Sequence, residues 1–202
     1  MERQDFLEKA VLSGTISQRS FSDVHLYNYA GKLFVFKRMR PNGPNNEVTR
    51  EILEKSFGYY KALQSTKGLV IIHAGWWDEK AGCFCTVMDY LNGYKRLVDG
   101  WLQLPESTLT HLCYEAFEAM ANMMAQGFAD YDFDVTNVMY NPTTLDLKLI
   151  DLDKIMPLRE VCKDRSHYGS WFASRMARLM RLSQGIYQPQ EQFTSVEKIN
   201  AQ

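Results

Sequence analysis

Asp132 and Asn137 stand five residues apart, and Asp151 follows at the end of the apolar run Leu147-Lys148-Leu149-Ile150. Carboxylate and carboxamide oxygens suit a hard cation such as magnesium. Upstream, Lys37 closes the run Phe34-Val35-Phe36-Lys37, an amphipathic strand ending in a positive charge. A lysine, an oxygen-donor pair and a further aspartate are the parts needed to handle phosphate, where catalysis is mostly positioning and charge neutralisation. Each part alone is common: a lysine ending a strand is usually a surface group, and D-x-x-x-x-N recurs by chance. The order of the parts and the elements between them carry the information.

The first third of the chain is β-rich. Strands are expected at 10–16, 24–29 and 32–38, the last two forming a hairpin with Ala30-Gly31 at its turn. Pro41-Asn42-Gly43-Pro44 is a breaker. Residues 46–63 then read as a helix rich in good formers, followed by strands at 69–76 and 83–90. In the second half Ser107 is the expected N-cap of a long helix. Leu109, Leu112, Ala116, Met120, Met123 and Met124 recur there at helical spacing, and Gly127 stands where the helix should stop. A short hairpin is expected from 138–140 and 147–150, turning at Asn141-Pro142-Thr143-Thr144. Helix resumes at 170–182, and the tail from Gly185 lacks a pattern.

This ordered set resembles the protein-kinase-like superfamily. Asp132 and Asn137 match its catalytic loop, Asp151-Leu152-Asp153 stands at its metal motif, Lys37 at its third-strand lysine, and Thr86-Val87-Met88-Asp89-Tyr90-Leu91 at its hinge. The resemblance implies an α+β, bilobal protein-kinase-like fold with a β-rich N-lobe and a reduced helical C-lobe. One domain would cover 1–202, with the N-lobe at about 1–90, the C-lobe at about 91–184 and a tail at 185–202. It implies ATP and Mg2+ as cofactors. Asp132 would orient the attacking hydroxyl, and Asn137 and Asp151 would hold the metal. Lys37 would hold the α- and β-phosphates with a helix glutamate as partner: Glu54, then Glu51, then Glu47. The backbone near Asp89 and Leu91 would meet the adenine edge.

Several features depart from that pattern. Only Gly14 marks the phosphate loop, so Ser17, Ser20 or Ser22 would meet phosphates there. Asp134 replaces the lysine of Ser/Thr protein kinases, and no A-P-E motif follows. These departures resemble the small bacterial heptose and Kdo kinases of the lipopolysaccharide core. The resemblance implies phosphorylation of a non-peptide hydroxyl, a sugar of that core. Lys163, Arg165, Arg175, Arg178 and Arg181 would either meet an anionic glycolipid or form a solvated face. The alternatives are a minimal protein kinase such as a secreted bacterial effector, and a pseudokinase that binds or scaffolds.

Composition narrows the partners. With 23 basic and 24 acidic residues, a formal charge of −1 gives no reason to expect nucleic acid as partner. No run reaches the roughly 18 apolar residues that span a bilayer, so a cytoplasmic location is expected, peripheral to the inner membrane or exported as an effector in the alternatives. Cys83 and Cys85 fall on one strand face without further metal-ligand spacing, which points to buried thiols rather than zinc.

Overall fold

Alternating side chains make the first half of the chain a sheet with two different faces. A computed structural model describes residues 1–18, 21–41, 49–131 and 133–161, with Ala173, Ser174, Ala177, Leu179 and Arg181. Strands β1 (Val11–Gln18), β2 (Ser22–Tyr29), β3 (Lys32–Met39), β4 (Ile72–Asp78) and β5 (Cys83–Asp89) pair antiparallel in the order β1-β2-β3-β5-β4. Phe34, Phe36, Cys83, Cys85 and Val87 share the outer face. Val35 and Lys37 fall on the other, which lines a cleft. The β2–β3 turn is the expected one: Ala30 and Gly31 take φ of 52° and 78°, as a tight hairpin turn of this twist requires.

A helix that the sequence pattern did not announce covers the outer face. Helix α1 (Arg3–Lys9) buries Phe6 against Tyr27, Tyr29 and Phe36. Seven residues are too few to hold a helix in water, so this packing is what stabilises it. Under it, Cys83 and Cys85 lie with sulfurs 3.8 Å apart. Burial pushes the Cys85 thiol up to about 12, which leaves it unreactive.

Helix α2 (Arg50–Leu63) packs against the inner face with Leu53, Ser56, Tyr60 and Leu63 buried. Its first turn is capped by Thr49, whose side chain accepts from the Ile52 N–H at 3.3 Å. The earlier start expected at 46 lies outside the described residues.

One short strand and a one-turn helix follow the hinge: β6 (Lys95–Arg96) and α3 (Leu97–Gly100). Helix α4 (Glu106–Ala125) begins one residue before the expected Ser107 cap, with Pro105 at the N-cap and Glu106 in the first turn, where an acid suits the helix dipole. It stops where expected: Gly127 has φ of 85° and its N–H bonds to Met124 O at 2.9 Å. Strands β7 (Phe128–Asp130), β8 (Val138–Tyr140), β9 (Leu147–Leu149) and β10 (Ile155–Pro157) build two small sheets, β10-β7 and β6-β8-β9, before α5 (Leu158–Val161). The β8–β9 hairpin matches expectation; the β7–β10 pair was not foreseen. Of the helix expected at 170–182, Ala173, Ser174, Ala177, Leu179 and Arg181 are helical, and the other positions and the tail lie outside the described residues. Among the described residues no helix is long and apolar enough to cross a membrane.

The two lobes also touch beneath the cleft. Leu149 N–H bonds to Gly68 O at 2.6 Å, and Val70 N–H to Leu149 O at 3.0 Å. A Cβ at Gly68 would sit 2.6 Å from Ala119 Cβ, so only glycine allows this approach.

Ala30 holds a left-handed backbone that asparagine tolerates better. Ala30→Asn should therefore stabilise the fold by about 0.5 to 1 kcal/mol, read as a higher urea midpoint. A lower midpoint would mean that the turn is not the one described.

Candidate active site

The cleft between the sheet and the β8–β9 hairpin has a volume of about 480 Å³. Ile16, Val24, Val35, Met139 and Ile150 give it apolar walls. At one end run the hinge residues Asp89, Tyr90 and Leu91; at the other stand Lys37, Asn137 and Asp151. Ser17 and Ser22 line it too, while Ser20 lies outside the described residues. The sequence order thus brings Lys37, Asn137 and Asp151 to one end of one cavity, from three separate stretches of chain.

Each polar side chain has a local reason for its place. Lys37 is 8% exposed, mid-sheet opposite Thr86 on β5. Asn137 ends a 3₁₀ turn at Val135–Asn137, and its carbonyl accepts from Ile150 N–H at 2.9 Å. That bond sets Asn137 beside the residue preceding Asp151. Asp134, which the sequence offers in place of a lysine, caps this turn: its side chain accepts from Thr136 N–H at 3.0 Å. Asp151 has φ of 63°, in the left-handed region for a residue with a Cβ. At the hinge, Asp89 N–H bonds to Ile71 O at 2.9 Å and Leu91 O accepts from Tyr94 N–H at 3.2 Å. His73 Nε2 lies 2.6 Å from Asp89 Oδ1.

Lys37 Nζ pairs with both Asp151 Oδ1 and Asp153 Oδ2. Burial opposes the lysine charge, but Asp153 and Asp151 together hold the ammonium above its ordinary value. Burial pushes the Asp153 carboxyl well above the usual carboxylate range, with Lys37 pulling against it and Asp151 adding to it.

This pairing corrects the expected contact of Lys37 with Glu54 or Glu51. Glu54 pairs with Arg50 at 3.0 Å and Glu51 with Lys55 at 2.7 Å, and both glutamates are exposed. Glu47 lies outside the described residues, as does Asp132. Helix phase is the reason: α2 buries Leu53, Ser56, Tyr60 and Leu63, which turns Glu51 and Glu54 to water. That apolar phase, legible in the sequence, is the signal that would have excluded both.

Two participants escaped the sequence reading. Ser56 Oγ donates to Leu152 O at 3.4 Å and accepts from Ile155 N–H at 2.8 Å, so α2 grips the turn that carries Asp151 and Asp153. Arg96 lines the cleft and makes two hydrogen bonds to Asp99, at 2.7 and 2.9 Å. Of the basic stripe, Arg181 is exposed, and Lys163, Arg165, Arg175 and Arg178 lie outside the described residues.

No family model matches the sequence, and no curated protein does. Solved structures do. The Cydia pomonella granulovirus kinase PK-1 superposes with a TM-score of 0.61 at 19% identity, over 76% of this chain and 57% of that one. The chain thus spans just over half the length of that kinase.

Ser56→Ala would leave the buried Ile155 N–H without its acceptor. The expected loss is about 1 to 3 kcal/mol, read by urea denaturation; a loss within error would show that the hydroxyl does not tie α2 to the turn. The antiparallel sheet, its flanking helix, the hinge and the helical lobe below the cleft together give this chain a protein-kinase-like fold.

Proposed function

We propose that the chain is an ATP-dependent phosphotransferase that acts on a hydroxyl of a non-peptide acceptor, with a sugar of the lipopolysaccharide core placed first. The observation that supports phosphate chemistry best is the meeting of Lys37 with Asp151 at the end of the cleft that Asn137 also lines. The apolar walls suit a purine base, and the backbone near Asp89 and Leu91 would meet its edge. Lys37 meets the phosphates. Asp132 takes the catalytic-loop role its sequence position implies: orienting the acceptor hydroxyl and receiving its proton.

The oxygen donors of Asn137 and Asp151 fit a hard divalent cation, and both line the same cavity. They would hold magnesium, which when bound neutralises charge on the phosphates. Asp134 caps its own turn and cannot neutralise a transferred phosphate as a lysine would, a departure from the Ser/Thr protein-kinase pattern that supports a non-peptide acceptor. The cytoplasm, where ATP is available, is the location that goes with this reading.

MgATP should raise the melting temperature, and ATP with chelator should raise it less, because a ligand of the folded state alone stabilises by mass action. Asp151→Ala should abolish radiolabel transfer from ATP while the protein stays folded. Label on lipopolysaccharide supports the reading, and label on protein alone favours the effector alternative. No thermal shift at millimolar MgATP would overturn nucleotide binding and leave the scaffold alternative.

A further inference from the structure

We propose that Asp153 is the residue that positions Lys37 for nucleotide phosphates, in the place expected of a helix glutamate; the inference rests on the nucleotide reading above. The two carboxylates on Lys37 are not equivalent. Asp151 has a side chain 45% exposed and lines the cleft. Asp153 has a side chain 15% exposed and lies on the α2 side of the lysine, among Leu53, Ser56, Phe57 and Tyr60. That is the flank from which a helix side chain would reach the ammonium. Within α2 this flank carries no acid: its buried residues are Leu53, Ser56, Tyr60 and Leu63.

The division of labour follows from these positions. Asp151 faces the cavity, where phosphate and metal would bind, and is the carboxylate that a ligand would engage. Asp153 sits behind the lysine, away from the ligand. It keeps the Nζ of Lys37 on the inner face whether or not Asp151 is engaged elsewhere. The helix still contributes, one step removed. Ser56 fixes Leu152 O and Ile155 N–H, on either side of Asp153. Helix, turn, carboxylate and lysine therefore form a chain of contacts in which the helix holds the turn and the turn holds the lysine. Exposed Glu51 and Glu54 take no part, since their partners are Lys55 and Arg50.

The test compares the parent chain with Asp153→Asn and with Glu51→Gln/Glu54→Gln, using calorimetric affinity for MgATP and for adenosine. A positioning role weakens MgATP about tenfold or more in Asp153→Asn and leaves adenosine unchanged, because adenosine has no phosphate for Lys37 to meet. The glutamate variant should bind both as the parent does. Equal loss of MgATP and adenosine in Asp153→Asn would mean that Asp153 only supports the fold, and unchanged MgATP affinity would mean it does not position the lysine; either overturns the proposal. So would a loss of MgATP affinity in the glutamate variant. Should Asp153→Asn fail to fold, Lys37→Met/Asp153→Asn removes both charges. Recovery of the thermal transition in the double variant supports the pair, and no recovery counts against it. A parent chain that binds adenosine but not MgATP overturns this inference alone, and one that binds neither overturns the nucleotide reading with it.

Discussion

Lys37 puts an ammonium group on the inner face of a sheet, shielded from water, and that charge must be met by carboxylates brought from elsewhere in the chain. The fold meets it twice from a single turn, with Asp151 and Asp153. Much of the remaining architecture follows from this need. The turn must leave β9 sharply, which Asp151 achieves with left-handed backbone. It must also stay put, which Ser56 on α2 and the Asn137–Ile150 backbone bond ensure. Sheet, helix and lower hairpin are thus arranged around one positive charge.

The same sheet separates support from chemistry. Its outer face is an aromatic and thiol layer under α1, with Phe36 stacked on Trp76. The inner face carries the lysine and the cavity walls. Because side chains alternate along a strand, neighbours in sequence do opposite work: Phe36 anchors, Lys37 binds. Below, Tyr60 uses one hydroxyl for both Val70 O and Ile72 N–H, which fixes the segment that crosses to the lower lobe.

Local patterns made much of this legible. The strand carrying Lys37, the Ala30-Gly31 turn, the stop at Gly127 and the β8–β9 hairpin each depend on a few adjacent residues. Their period of two, or their need for positive φ, shows in the letters. What stayed hidden depends on distant contacts. Helix α1 exists because Phe6 finds Tyr27, Tyr29 and Phe36, and nothing in its own seven residues declares that. The lysine's partner lies 116 positions away, and family resemblance pointed to α2 instead. The apolar phase of that helix, Leu53, Tyr60 and Leu63, sets Glu51 and Glu54 aside. Asp134 stands where a Ser/Thr protein kinase has lysine, and Asp134-Val135-Thr136 is also the spacing of a cap.

Asp151 bears on how such a sequence would drift. Glycine would take its left-handed backbone without strain and asparagine nearly so, whereas a residue in a sparsely populated region is held at a cost on the order of 1 kcal/mol. A lineage that kept this architecture but no longer handled phosphate would therefore be pulled toward glycine there by stability alone. Aspartate at that position is the less comfortable choice for the backbone, and only a task for its carboxylate, with lysine or with ligand, opposes the pull. Among descendants of this chain, the identity of that one residue would record whether the task persists.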